Sequence, residues 1–249
     1  MKAMITGASS GIGRDMARVL NSKGYDLILV ARRKDRLEKL KKELKGDITI
    51  IPIDISTTFN CMKLYNKVKK ENIDILINNA GFGLFGQFNE TSLDKELDMI
   101  DVNIKSLHTL TKLFLNDFVK RNKGYILNVA SSAAFLPGPL MATYYATKAY
   151  VLRLTTSINE ELRRNKSNVV ISCLCPGPVN TEFNNVAGVK FMIKSLESYD
   201  VADYAINKMF KKKTVIIPGI NIKIGIFLTR FLPLKTQAKI SYNIQKKKS

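Results

Sequence analysis

A chain of 249 residues, 45% of them apolar, is long enough to bury a sizeable core in one α/β domain, which excludes a disordered chain. It has no run of eighteen uncharged apolar residues and opens on a strand-like Lys2-Ala-Met-Ile5, so no secretory or spanning segment is expected and the chain reads as intracellular and cytoplasmic. Forty Lys and Arg against twenty-one Asp and Glu give +19, a charge that reflects either a Lys-rich composition spread over solvated helix faces or an anionic partner.

After the first strand comes Thr6-Gly-Ala-Ser-Ser-Gly-Ile-Gly13, leading into a helical segment from Arg14 to Lys23. Glycines at 7, 11 and 13 let a backbone turn sharply and approach a pyrophosphate, whose charge the free N–H groups of the helix start would stabilise. The spacing is Gly-x-x-x-Gly-x-Gly, which is neither the usual dinucleotide fingerprint nor a P-loop. A second strand, Asp26 to Val30, runs into Ala31-Arg32-Arg33 and a helical segment from Lys34 to Lys45. The third strand, Ile48 to Ile53, ends beside Asp54 and Ile55, and Phe59 to Lys70 has helical periodicity.

The fourth strand, Asp74 to Ile77, is followed by Asn78-Asn-Ala-Gly81. Leu93 to Arg121 reads as helical and carries Asn103 and the single histidine, His108. One histidine supplies neither a His-based metal site nor a His-based triad, and no metal is expected. The fifth strand, Tyr125 to Val129, precedes Ser131, and a helix from Ala142 to Arg164 starts with Thr143-Tyr-Tyr-Ala-Thr-Lys-Ala149. Residues three and four apart on a helix are both neighbours, so geometry alone lets either Tyr144 or Tyr145 approach Lys148.

The sixth strand, Val169 to Leu174, leads to Pro176-Gly177, Val179 and Thr181. Three cysteines, Cys61, Cys173 and Cys175, are odd in number and lack framework spacing, which suits a reducing compartment; the last two alternate toward one face and read as buried core. Asn180 to Ser198 fits no regular element and is a candidate lid. A seventh strand spans Thr214 to Ile217, and a tail follows from Gly219 to Ser249. Strands apolar on both faces, alternating with helices, predict a doubly wound parallel seven-stranded sheet in a three-layer αβα (Rossmann) domain over 1–218.

The ordered set formed by the glycine turn, Asn78-Asn-Ala-Gly81, Asn103, Ser131, Tyr144-x-x-x-Lys148, Pro176-Gly177 and Thr181 resembles the short-chain dehydrogenase/reductase family across about residues 1 to 218. That resemblance implies an oxidoreductase moving a hydride between a nicotinamide dinucleotide and a carbonyl or secondary alcohol. It breaks the tie for Tyr144 as acid/base and leaves Tyr145 as a packing or substrate-wall residue. Ser131, thirteen positions earlier and not Ser132, would bind the reacting oxygen. Lys148 would lower the phenol pKa from its usual value near 10 and bind the nicotinamide ribose, and Asn103 would hold a relay water.

The resemblance assigns the cofactor to Gly7, Ser9, Ser10, Gly11, Ile12 and Gly13, to Asp54 and Ile55 beside the adenine, and to Asn79, Ala80 and Gly81 at the ribose. Tyr144, Lys148, Pro176, Gly177, Val179 and Thr181 complete the set. An adenosine ribose with free hydroxyls favours an acid at the end of the second strand, whereas a 2′-phosphate needs a cation. Arg32 and Arg33 stand there, either as the phosphate's partners or as a basic helix entrance, and with no carboxylate at that point NADP(H) is the expected cofactor, with Arg14 either assisting or solvated.

Phe135, Leu136, Leu140 and Met141, along with Val186 to Met192, would either wall a lipophilic substrate pocket or pack their own loops. From Lys208 onward there are eleven basic residues and no acidic one, and Pro233 interrupts any continuous helix in the tail. This basic amphipathic appendage, 219–249, would make peripheral membrane contact, cover the substrate entrance or meet a partner subunit. Family members commonly assemble, which implies a homo-oligomer, dimer or tetramer. The Pro218-Gly-Ile-Asn221 turn and long tail depart from the pattern that builds the tetramer. No nucleic-acid reading module is present, so nucleic acid is not an expected partner. Two rival functions are a reductase of carrier-bound 3-oxoacyl thioesters and an NADPH-sensing interaction protein without redox work.

Overall fold

The computed structural model describes residues 1–188 and 195–246. Seven parallel strands form the central sheet: β1 (Lys2–Thr6), β2 (Asp26–Ala31), β3 (Ile48–Pro52), β4 (Ile73–Asn78), β5 (Tyr125–Val129), β6 (Val170–Leu174) and β9 (Val215–Ile216). Their order is β3-β2-β1-β4-β5-β6-β9. Between β6 and β9 in the chain, β7 (Val179–Asn180) and β8 (Leu196–Glu197) pair as a separate parallel ribbon. The helices are α1 (Gly11–Ser22), α2 (Lys34–Glu43), α3 (Thr58–Val68), α4 (Leu93–Ile100), α5 (Leu107–Arg121), α6 (Ala142–Arg164), α7 (Phe183–Ala187), α8 (Ser198–Phe210), α9 (Ile220–Thr229) and α10 (Leu234–Lys246).

Strand alternation sorts the core into two layers. Ala3, Ile5, Leu27 and Leu29 point to the face covered by α1, α2 and α8, while Met4, Ile28, Val30 and Leu76 point to the face covered by α3 and α5. Both faces are buried, so these strands are apolar throughout, as a parallel sheet requires. The expected seven-stranded doubly wound sheet is the observed one. Chain direction along the sheet reverses between β1 and β4, and a crevice opens beyond the carboxyl ends of the strands at that switch point.

Three features lie outside the sequence expectation. The helix expected over Leu93 to Arg121 contains a π-helical turn at Asp101–Ser106. The β7–β8 ribbon has only two residues per strand, too few for alternation to reveal. Helix α8 packs along α1, anchored by a hydrogen bond from Ser198 to the buried carboxylate of Asp15. Of the apolar stretch Val186 to Met192, residues 189–192 lie outside the described residues.

Phe118 is fully buried at the end of α5, its ring against Gly124, whose φ of +151° and closeness to the ring leave no place for a Cβ. Phe118→Ala should therefore lower unfolding stability by about 3–5 kcal/mol, read from denaturant titration. A loss below about 1 kcal/mol would mean that this layer repacks without a cavity.

Candidate active site

The turn after β1 is shaped by its glycines and pinned from below. Gly7 and Gly11 have φ of +67° and +52°, and a Cβ at Gly13 would collide with Asn79 and the Gly7 carbonyl. Asn79 Nδ2 donates to the carbonyls of Thr6 and Gly7 at 3.1 and 3.2 Å. Thr6 Oγ1 accepts from the amides of Asn79 and Ala80 at 3.0 and 3.1 Å, so the ends of β1 and β4 move together. The first turn of α1 has no acidic residue and its Ser10 makes no side-chain cap, which leaves the helix start available to an anion.

Beside this turn lies a cavity of about 740 Å³, within the range of a cofactor-plus-substrate site. Of the residues that the sequence assigned to catalysis or to the dinucleotide, all border it except Gly13 and Asn103, and Arg14 also lies off its wall. Gly13 sits behind the turn, where the lack of a Cβ permits close approach to Asn79 and the Gly7 carbonyl, and does not itself border the cavity.

Arg33 reaches back across the turn and donates to Ser9 Oγ at 3.2 Å and Ser10 Oγ at 3.0 Å. It also pairs with Glu182 at 3.0 Å, and Arg36, one turn along α2, binds the same carboxylate. These two cations hold the Glu182 carboxyl below its ordinary pKa. Arg32 is more exposed and stands 3.9 Å from Asp54. Arg36 and Glu182 are functional candidates that sequence reasoning missed; the signal for Arg36 was its i+3 spacing from Arg33 on a helix, whereas Glu182 is brought there from 149 residues away.

At the other end, Ser131 caps the short 3₁₀ turn Ser132–Phe135 by accepting from the Ala133 amide at 3.1 Å. Tyr144 and Lys148 project from the first turns of α6 and are both buried. Lys148 Nζ donates to the Val129 carbonyl at 2.9 Å and lies 5.7 Å from the centre of the Tyr144 ring. Burial lowers the Lys148 pKa to about 8, partly opposed by Cys173 and Cys175.

The phenol behaves differently from the sequence expectation. Burial pushes the Tyr144 pKa up, hydrogen bonding with Ser131 opposes this, and Tyr145 adds to the rise. The expected lowering by Lys148 is not what this protein shows: desolvation dominates the phenol, and the ammonium is engaged by the Val129 carbonyl. Tyr145 is pushed up to about 12 by burial, its ring covers Gly138, and its hydroxyl is held by Gln245.

Asn103 is fully buried behind the cavity wall in the π-helical turn, a device that re-aims side chains within a helix. Its amide donates to the Phe82 carbonyl at 2.9 Å and Thr147 Oγ1 at 3.1 Å, and its oxygen accepts from the Phe82 amide at 3.1 Å. It is thus a brace for Asn79-Ala-Gly-Phe82, with one oxygen lone pair left for a water. A Cβ on Gly81 would stand 2.8 Å from Asn103 Oδ1 and 3.4 Å from Lys148 Nζ, so glycine keeps a gap open between the two. Asn78 braces the core instead, donating to Thr111 Oγ1 at 3.0 Å and Asn128 Oδ1 at 2.9 Å.

Of the four expected apolar wall residues, Leu136 and Met141 border the cavity and Phe135 and Leu140 do not. Phe135 packs against the layer around Val151 and Leu152, while Leu140 occupies a turn at φ +66°. The tail supplies a further part of the wall: Ile222 and Ile226 from α9, and Ile240, Ser241, Ile244 and Gln245 from α10. Of the three dispositions open for the tail, its inner face covers the cavity. The i, i+4, i+8 series Gln237, Ser241 and Gln245 is buried, a polar stripe that sequence reasoning did not single out.

Comparison with known proteins gives the same outline. A family model described as short chain dehydrogenase matches residues 1–189. An uncharacterized oxidoreductase of Staphylococcus epidermidis is 31% identical over 224 residues, covering 89% of this chain and 96% of that protein. The human very-long-chain 3-oxoacyl-CoA reductase is 33% identical over 194 residues, covering 74% of this chain and 61% of that protein. A short-chain dehydrogenase from Sphingobium yanoikuyae, solved in complex with NADPH, is 29% identical with a TM-score of 0.84, covering 92% of each chain.

Proposed function

This chain belongs to the short-chain dehydrogenase family, and from that premise we propose that it is an NADP(H)-dependent oxidoreductase acting on a lipophilic carbonyl compound or its secondary alcohol. The observation that carries the proposal is the convergence of Ser131, Tyr144 and Lys148 at one end of a single cavity whose other end is the glycine turn with Arg33 above it. The residues fit a dinucleotide: Gly7 and Gly11 at positive φ and the free start of α1 would receive the pyrophosphate, Asp54 and Ile55 would flank the adenine, and Asn79 to Gly81 would hold the ribose, all of them bordering the cavity. Pro176, Gly177, Val179 and Thr181 border the same crevice. When bound, the nicotinamide supplies or accepts the hydride.

Tyr144 donates its proton to the oxygen of the carbonyl as negative charge develops there. A phenol whose pKa has been raised by burial is still far more acidic than an alcohol, so proton donation to the developing alkoxide runs downhill. Ser131 hydrogen-bonds the same oxygen and fixes the carbonyl plane. Lys148 contributes positive charge beneath the phenol and a donor for a ribose hydroxyl. Asn103 acts by holding Phe82 and the gap at Gly81, where a water can link Lys148 outward. The apolar side chains of Ile222, Ile226 and Met141 favour a substrate with a hydrocarbon body.

Arg33 and Arg36, with Ser9 and Ser10, are the groups we assign to the 2′-phosphate, which would take the place of the Glu182 carboxylate as their partner. Arg33→Ala should raise KM for NADPH by about 10- to 100-fold and leave KM for NADH within about threefold, as loss of a charge-assisted contact requires. Equal effects on both cofactors would overturn the NADP(H) assignment. The experiment that tests the function itself is a panel of lipophilic ketones and aldehydes followed by nicotinamide absorbance. Tight NADPH binding with no turnover on any of them would favour the sensing role.

A second reading, reduction of 3-oxoacyl thioesters, is favoured by the isoleucine-lined roof and by what the human relative is named for. Docking of an acidic carrier to a chain of charge +19 would make turnover of a carrier-bound substrate fall with salt while that of the free thioester does not.

A further inference from the structure

We propose that the outer face of α9 and α10 is a docking surface for an anionic lipid bilayer. Helix α9 is apolar on two sides, and the fold uses only one of them. Ile222, Ile226 and Thr229, spaced i, i+4, i+7, turn inward to the cavity. Ile220, Ile224, Phe227, Leu228 and Phe231, spaced i, i+4, i+7, i+8, i+11, form the opposite side and are 52 to 72% exposed. Leu234, at the start of α10, is 73% exposed, and the rings of Phe227 and Phe231 pack edge-to-face at 5.4 Å. Six large side chains clustered in solvent contribute nothing to the core and make a patch of the kind that marks an interaction site.

Charge identifies the occupant. Lys223, Arg230, Lys235 and Lys239 flank the patch, all exposed, and no acidic residue occurs after Asp203. None of these four cations forms an ion pair among the described residues. On α10, Lys235, Lys239 and Tyr242 recur at i, i+4, i+7 on one side, with a half-exposed aromatic ring beside two cations. A second copy of the chain is a poor fit, because a twofold contact of this patch would press the two basic rims together. An acidic protein would satisfy the cations but not the aliphatic and aromatic side chains. A bilayer rich in anionic headgroups satisfies both, with the apolar row in the acyl boundary and the cations at the phosphates. No helix is long and apolar enough to cross a membrane among the described residues, so α9 and α10 would lie in the interface plane.

The proposal concerns binding alone and stands whatever the reaction is. The test is co-sedimentation of the full chain with vesicles of phosphatidylcholine containing or lacking phosphatidylserine, at low and high salt. Native protein should pellet with the phosphatidylserine vesicles and be released by salt. The double variant Phe227→Ser/Phe231→Ser should weaken partitioning by about tenfold or more. The charge-reversed variant Lys223→Glu/Arg230→Glu/Lys235→Glu/Lys239→Glu should abolish it; neither set borders the cavity, so melting temperature and NADPH binding should stay near native. Failure of the native chain to bind these vesicles, or binding unchanged in both variants, overturns the proposal. So does a concentration-dependent dimer that both variants dissolve in the absence of vesicle binding, which would make the face a self-association surface.

Discussion

Tyr144→Phe will lower kcat/KM for carbonyl reduction by about 10²- to 10⁴-fold, the usual worth of a positioned proton donor. The substitution keeps a ring of the same size against Phe183 at 5.4 Å and Tyr145 at 6.2 Å, so packing survives and only the hydroxyl is lost. NADPH affinity, measured by fluorescence titration, should change by less than about threefold. Tyr145→Phe is the informative partner: its hydroxyl is bound by Gln245, so its removal frees that amide and alters the roof of the cavity without removing a proton donor. Turnover in Tyr145→Phe should stay within about fivefold of native, with the change appearing in KM. The reverse result, collapse at 145 and survival at 144, would transfer the acid role one residue along the helix.

Lys148→Met will lower kcat/KM by about 10²- to 10³-fold while raising the stability of the cofactor-free protein at neutral pH. Both effects come from one buried ammonium. The folded-state pKa, about 8, lies below the ordinary 10.5, so between these values the unfolded chain binds the proton that the folded chain has released. Stability from this group therefore rises with pH across that window. Below about pH 8 the folded protein carries the full net cost of burying the charge, about 3 kcal/mol. The variant's advantage in melting temperature should be largest below pH 8 and fade as pH approaches 10.5. The kcat/KM of the native enzyme should fall as pH rises through about 8, where Lys148 loses its charge. A melting-temperature difference independent of pH would mean that Lys148 stays charged in the folded state.

The fold was legible because parallel strands buried on both faces must be apolar throughout, and each such run in this chain is bounded by turn residues. The positions of Gly7, Gly11, Ser131, Tyr144 and Lys148 around one cavity could be anticipated from motif order, since each follows a strand end or opens a helix on the same edge of the sheet. The helix α8 and the β7–β8 ribbon were not legible: one lies beyond an irregular segment and the other is too short to have a period. Gly13 and Asn103 belong to recognisable motifs, yet only coordinates reveal that both act from behind the cavity wall.

Composition and spacing by themselves determined the sheet, the glycine turn and the basic pair after β2, because local backbone geometry and charge depend on neighbours in the chain. The tertiary structure decided what depends on contacts between distant segments: Glu182 against Arg33 and Arg36, the π-turn amide of Asn103 against Phe82, and the roof made by α9 and α10. It also decided the electrostatics, since Tyr144 and Lys148 are adjacent in any helix but only burial raises the phenol and lowers the amine. Desolvation is a property of the whole surrounding volume, filled here by residues from opposite ends of the chain, and no stretch of sequence contains it.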